Sequence, residues 1–302
     1  MAENTEISTP AKHSKVSDYI QFAKLRLASL VVFSAVICYI IAAKGDFTWQ
    51  ILGWLTLGGF LVTGASNGFN QIIEKDLDKL MERTQNRPLP KNRIHPNTAL
   101  FIGVILTLIG IGSLYIINMK TAFFASNSIF LYACLYTPLK QKTPLSVFVG
   151  AFPGAIPFML GWVAATNRIG FEGAGTGGWI LFAVQFFWQF PHFWSIAWVA
   201  YDDYAKAGIK LLPSSAGRTS FTGLQCMLYS LVLIPISMLP RLHMTGVIGM
   251  SVAIVMGIIY FYTSYLFYQH NDEKSARRVM FASFFYLPIV LIAYLLDKTV
   301  LV

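Results

Sequence analysis

The sequence predicts an all-α fold: a polytopic membrane helix bundle of nine transmembrane helices, N-terminus cytoplasmic and C-terminus outside. Three observations predict it. Of 302 residues, 55% are apolar and only 12% charged, against about 25% charged in soluble domains. The apolar residues fall in long, nearly uncharged blocks, and a helix needs roughly 20 such residues to cross the hydrocarbon. Positive charge alternates from one connecting loop to the next. The same composition excludes disordered, collagen-like and disulfide-rich classes.

Taken in order, the blocks are residues 27–43, 49–69, 98–117, 121–136, 145–165, 179–200, 221–240, 246–268 and 279–296. Each should be helical, because lipid offers the backbone no hydrogen-bond partners. Residues 1–20 form a polar cytoplasmic tail with Glu3 and Glu6 and no Arg in the first 18 positions, unlike a transit peptide. Block 27–43 is long for a signal-peptide core and reads as a retained span. Residues 21–302 then make one transmembrane domain, since no loop is long enough for a soluble one. With the N-terminus inside, 18 of the 23 Lys and Arg lie in inside segments. The outside segments carry one each: Lys44, Lys120, Arg168, Arg241 and Lys298. That bias orients the bundle in the lipid bilayer, with no call for nucleic acid; a bacterial inner (plasma) membrane is the expected location. Cys38, Cys134 and Cys226 all lie in apolar blocks and read as free thiols. The run Gly173–Gly178 fits G-x-G-x-x-G but follows no strand, so it is not read as a dinucleotide site.

The 14 acids are the informative minority. Four of them, Glu74, Asp76, Asp78 and Glu82, sit in one stretch after the second block; Asp202 and Asp203 follow the sixth. Four crossings separate the two groups, so both face the cytoplasm, and the spacing suggests two related four-helix halves with a site between them. If the second helix continues past Phe69, Asn70, Glu74 and Asp78 recur at i, i+4 and i+8. Each step drifts about 40°, so one face carries all three oxygen-bearing side chains. Stacked carboxylates repel unless a cation lies between them, and an all-oxygen set favours a hard ion such as Mg²⁺. The bland alternative is a solvated helix extension with Glu/Lys pairs.

Bases interleave with these acids: Arg83 and Arg87, then Lys140 and Lys142, then Lys206, Lys210 and Arg218. Topology alone accounts for some of them. Acids and bases together at the mouth of a bundle also suit a metal-bridged diphosphate, with metal on carboxylates and residual charge on Arg forks and Lys. Gln189 and His192 flank Pro191 inside the sixth block. Polar groups at that depth are costly and point to function, or else they form a buried, hydrogen-bonded core pair. Gly64/Gly68 and Gly150/Gly154 read as close helix approaches.

Several runs together carry a resemblance. They are Asn70…Glu74…Asp78…Met81-Glu-Arg83-Thr84-Gln-Asn-Arg87-Pro88-Leu89-Pro90, then Tyr136-Thr-Pro-Leu-Lys140, then Gly150-Ala…Gly154-Ala-Ile-Pro157…Gly161-Trp162. Trp188-Gln189-Phe-Pro191-His192 and Asp203-Tyr204-Ala-Lys-Ala207-Gly208-Ile-Lys-Leu-Leu-Pro213 complete the set. The chain resembles the UbiA superfamily of intramembrane prenyltransferases, and within it the haem-farnesylating branch. The resemblance implies farnesyl diphosphate as donor, haem B as acceptor, haem O as product for terminal oxidase assembly, and Mg²⁺ as cofactor. It implies haem A synthase or oxidase-assembly proteins as partners. Asn70, Glu74 and Asp78 would be the first metal and diphosphate set and Asp203, with Asp202, the second. Arg83, Arg87 and Lys140 would bind phosphates. Two positions depart from the superfamily pattern: Glu74 stands where Asp is usual, and Ala207 where a second Asp often follows four residues on.

In the implied reaction, farnesyl diphosphate ionises, a haem vinyl group attacks the allylic cation, and water quenches the result. Two rivals share parts of this reading. A prenyltransferase acting on a quinone-ring precursor would not need Gln189 and His192. A membrane transporter would explain the two halves but predicts charges nearer the bilayer midplane.

Overall fold

The computed structural model describes residues 14–45 and 47–299; among these there are helices, turns and one isolated bridge, Thr245 with Lys298, but no strand. Most of the expected polar tail (1–13) lies outside the described residues. The rest enters α1 (Lys15–Ala23), which spans the expected tail boundary and packs on the bundle through Phe22. Then follow α2 (Leu25–Ala42), α3 (Trp49–Ile73), the single turn α4 (Lys75–Asp78), α5 (Pro96–Ile117) and α6 (Met119–Phe130). A π-turn, Leu131–Tyr136, joins α6 to α7 (Thr137–Lys142). The second part holds α8 (Ser146–Thr166), α9 (Thr176–Val199), α10 (Tyr201–Lys206), α11 (Ser220–Met238), α12 (Val247–His270) and α13 (Glu273–Leu296).

Among the described residues seven helical rods are long and apolar enough to cross a membrane: α2, α5, α6 to α7, α8, α11 with its 3-10 extension, α12 and α13. The expected second and sixth spans coincide with α3 and α9, which have the length, 25 and 24 residues, but a more polar content. The reason is visible in their inward faces. Ser66, Asn67, Asn70 and Gln71 of α3, and Gln185 and Gln189 of α9, are buried inside the bundle. The outer surface is the reverse of a soluble protein's: Leu30, Phe101, Leu108, Phe123, Ile248 and Phe285 are each more than half exposed. Contiguous apolar surface on that scale belongs in lipid.

Two hydrophobic clusters build the interior, one joining α2, α3, α5, α6 and α8, the other α2, α8, α9 and α11–α13. Helices α2 and α8 contribute to both, and α8 is the most buried of the seven rods. Small residues permit that. A Cβ on Gly161 would stand 2.1 Å from the carbonyl oxygen of Ala35, so α2 and α8 touch backbone to backbone there. Gly68 receives the ring of Phe22, and Gly150 that of Tyr136. The Gly173–Gly178 run has a packing cause: Gly177 and Gly178 lie against Trp162, whose Nε1 donates to Ala174 O at 2.7 Å. The three cysteines are free, Cys38 and Cys226 buried and Cys134 exposed.

Gly161→Ala should therefore destabilise by about 1–3 kcal/mol, the usual cost of overpacking, and lower the unfolding midpoint in detergent. Gly112→Ala, on α5 with open space around the added methyl, should leave that midpoint unchanged or raise it.

Candidate functional site

The site is organised by the polar face of α3. Asn67 Nδ2 donates to Ala23 O (3.2 Å) and Gln71 Nε2 to Phe22 O (2.6 Å), so α3 satisfies carbonyls at the C-terminus of α1. That docking holds Lys24 between α1 and α2 in the left-handed region, φ 49°, with Nζ 3.4 Å from Asn70 Oδ1. One turn on, α3 ends at Ile73, yet the i to i−4 bonding persists: Glu74 N donates to Asn70 O and Asp78 N to Glu74 O. Asn70, Glu74 and Asp78 thus stay on one face, and all three are buried.

Each is held by a named partner. Asn70 Nδ2 donates to Glu74 Oε2 (2.8 Å) and to Thr137 Oγ1 (3.2 Å). Lys140 Nζ lies 2.6 Å from Glu74 Oε1, and Arg87 grips both oxygens of Asp78 at 2.8 and 2.7 Å. The π-turn arms the facing wall. Pro138 has no N–H for Cys134 O, and the extra residue per turn sets Tyr132, Tyr136 and Lys140 toward α3, with Lys140 Nζ 4.9 Å over the Tyr136 ring. Together with Arg83, Thr84 and Tyr204 these residues line a polar cavity of about 130 Å³.

The second acid group meets the first loop without lining this cavity. Asp203 accepts backbone N–H bonds from Glu82 (2.8 Å) and Arg83 (3.2 Å), and Lys206 pairs with Glu82 at 2.5 Å. Asp203 therefore fixes the backbone from which Arg83 reaches Tyr204 OH at 2.9 Å. Asp202 is turned outward, 3.1 Å from Arg218, which also donates to Trp198 O at the end of α9. Lys142, Lys206 and Lys210 are exposed. Asp202, expected at the metal, and Lys142, Lys206, Lys210 and Arg218, expected on the substrate, do not line this cavity. Among the described residues no three His, Cys, Asp or Glu side chains form a ready-made metal cluster. An amide and two buried carboxylates, Asn70, Glu74 and Asp78, do fit a hard ion that takes its remaining ligands from phosphate and water.

The sequence carried no sign of a site role for Lys24 or Tyr132, or of the backing role of Thr137. Lys24 lies outside the predicted spans, and only its place in the cavity wall marks it. Burial foremost, then the charges of Arg87 and Lys140, push its amine down to about 7 against the pull of Asp78 and Glu74. An arriving anion would favour the charged form.

Below the polar cavity lies an apolar chamber of about 730 Å³, and Tyr132, Tyr136 and Leu211 line both. Gln189 and His192 line the chamber but do not bond to each other. Gln189 Nε2 donates to Ala151 O (2.8 Å), and His192 Nδ1 lies 2.8 Å from Ser283 Oγ. They tie α9 to α8 and to α13 respectively. Gly154, opposite Gln189, leaves the amide its room: a Cβ there would be 2.3 Å from Gln189 Oε1.

Residues 31–286 match the UbiA prenyltransferase family. The chain is 48% identical over 288 residues to a protoheme IX farnesyltransferase of Flavobacterium johnsoniae, covering 93% of this chain and 94% of that one. It is 47% identical to the protoheme IX farnesyltransferase of Flavobacterium psychrophilum, with 96% and 97% covered. Among solved structures it is similar to a digeranylgeranylglyceryl phosphate synthase, with a TM-score of 0.78, 18% identity and 94% and 98% covered. It is also similar to a UbiA homolog from Archaeoglobus fulgidus bound to GPP and Mg²⁺, at a TM-score of 0.63, 15% identity and 92% and 99% covered.

Titration calorimetry with inorganic pyrophosphate and Mg²⁺ tests which cations face the cavity. Lys140→Met and Lys24→Met should each weaken binding by about tenfold or more, as loss of a charged hydrogen-bond partner does. Lys142→Met and Lys210→Met should leave it unchanged.

Proposed function

The chain belongs to the UbiA prenyltransferase family, and we propose that it transfers the farnesyl group of farnesyl diphosphate to a vinyl group of haem B, giving haem O. The relatives named protoheme IX farnesyltransferase supply the acceptor and the prenyl group. One geometric observation carries the chemistry: a small cavity of acids and bases opens through Tyr132 and Tyr136 onto a large apolar chamber. A diphosphate with a fifteen-carbon tail has that polarity.

In this reading Lys24, Arg83, Arg87 and Lys140 hold the diphosphate, and Asn70, Glu74 and Asp78 hold Mg²⁺. Bound there, Mg²⁺ would supply charge neutralisation on the departing diphosphate. The four cations stabilise the negative charge that builds up as the allylic C–O bond breaks. Tyr132 and Tyr136 stand where the tail leaves the polar cavity, and their ring faces suit the positive carbon formed there. The terminal vinyl carbon of haem then bonds to farnesyl C1. Water adds to the inner vinyl carbon and gives up a proton, so one farnesyl and one hydroxyl are gained and diphosphate is released. The apolar chamber withholds water until the carbon–carbon bond has formed. Asp203 acts by positioning Arg83.

Nine spans, α3 and α9 included, with the N-terminus inside, would put the polar cavity at the cytoplasmic face of a bacterial inner membrane. The Lys/Arg bias of the loops supports this, and residues 21–302 then act as one domain beside the tail. Haem A synthase or oxidase-assembly proteins are the partners to which haem O would pass.

Incubating purified protein with haem B, farnesyl diphosphate and Mg²⁺ should raise the mass of extracted haem by one farnesyl group plus one hydroxyl group. An unchanged haem, with quinone-ring precursors prenylated instead, would overturn the acceptor; no product with any acceptor would overturn the activity. Chelation by EDTA should stop turnover and added Mg²⁺ restore it. Asp78→Ala and Asp203→Ala should each abolish turnover while the protein remains inserted; undiminished activity in either would contradict the role given to that acid.

A further inference from the structure

His192 stands in the chamber wall with an unusually constrained ring. Its face stacks on Trp188, centroids 4.6 Å apart and planes 20° from parallel, and the edges of Phe193 and Phe284 close on it at 5.3 and 5.5 Å. Its Nδ1 lies 2.8 Å from Ser283 Oγ. A second bond bears on that contact. Ser283 Oγ donates to Met280 O at 2.6 Å, and a hydroxyl has one proton to give. Donating there, Ser283 can accept from His192, and on that ground the ring's proton is assigned to Nδ1, which leaves Nε2 as a lone pair. Among the described residues no hydrogen-bond donor engages that nitrogen.

An imidazole whose distal N–H is anchored and whose other nitrogen is free is the arrangement that metal-ligating histidines adopt. The surroundings narrow the metal. Apart from His192 and the amides of Gln185 and Gln189 the nearby lining is apolar and aromatic, with no carboxylate or thiolate to complete a coordination sphere. Such a site suits a metal that brings its own equatorial ligands in a flat, apolar frame. A bare sp² nitrogen repels a carboxylate, so a porphyrin propionate is not what it recognises. Phe193 and Phe284 are partly exposed and line the chamber beside it, so a planar molecule entering past them would meet His192 early.

We propose that His192 binds the acceptor as an axial ligand of haem iron through Nε2, with Ser283 holding the tautomer and the ring plane. This rests on haem being the acceptor. Ligation pins the macrocycle at its centre and leaves it rotation about one bond, so the chamber wall decides which vinyl edge faces the farnesyl carbon. A single neutral imidazole leaves the iron five-coordinate and the haem exchangeable, as a substrate must be. His192 is then a substrate-binding residue and Ser283 a positioning residue.

Resonance Raman spectroscopy of the purified protein with ferrous haem B, without donor, reads the bond itself. The wild type should give an iron–histidine stretching band. His192→Ala should lose it, with haem binding weakened about tenfold or more, and added imidazole should restore the band. Ser283→Ala should keep the band but shift its frequency, because Nδ1–H has lost its acceptor; a merely structural serine would leave the frequency alone. If His192→Ala does not fold, His192→Gln, close in volume and unable to give the band, takes its place. Haem bound and farnesylated by the wild type with no such band, or a band that survives both His192 variants, would overturn the ligation. Failure of the wild type to bind or farnesylate haem at all would instead overturn the acceptor on which it rests.

Discussion

Two buried ion pairs, Glu74 with Lys140 and Asp78 with Arg87, govern the rest of the molecule. Carboxylates at this depth cannot stay charged unpartnered, because desolvation costs several kcal/mol per ion even after relaxation. The pairs solve that problem for the free protein. They also hold the two signs apart in readiness: the acids suit a divalent cation, the bases a diphosphate. Were donor and metal to arrive together, as proposed, each pair could exchange partners and no charge would be left uncompensated. Removing one member would leave the other charge buried and unpaired, so single substitutions here should be severe.

The fold serves that exchange. Helix α3 carries its polar residues inward, docks α1 with Asn67 and Gln71, and so delivers Lys24 into the same cavity. The π-turn before α7 delivers Lys140 and two tyrosines from the other side. Asp203 ties the loop bearing Arg83 to the start of α10, more than a hundred residues away in sequence. Beneath this mouth the chamber is apolar, with Tyr132 and Tyr136 at the boundary. Polarity thus changes over one side-chain layer, where an allylic C–O bond would lie.

Much of this was legible in the sequence, for identifiable reasons. Uncharged blocks mark helices in lipid, since the bilayer forbids other backbone, and the i, i+4, i+8 spacing placed Asn70, Glu74 and Asp78 on one face even across the break at Glu74. Cation assignments were legible only in part. Lys140 and Lys142 look alike in sequence, but two residues of helix turn one inward and the other to water. Asp202 and Asp203 are adjacent for the same reason and do different things. Lys24 was invisible, because a lysine at a span's edge reads as a topology signal until the left-handed turn that buries it is seen. The polar residues of α3 and α9 blurred the hydropathy of two helices, and those are the helices that carry the site.

The exchange of partners is the central claim, and a structure of the protein with Mg²⁺ and a non-hydrolysable farnesyl diphosphate analogue tests it most directly. The account predicts that Lys140 and Arg87 leave Glu74 and Asp78 for phosphate oxygens while the two carboxylates turn to the metal. A bound diphosphate with both ion pairs intact would contradict it.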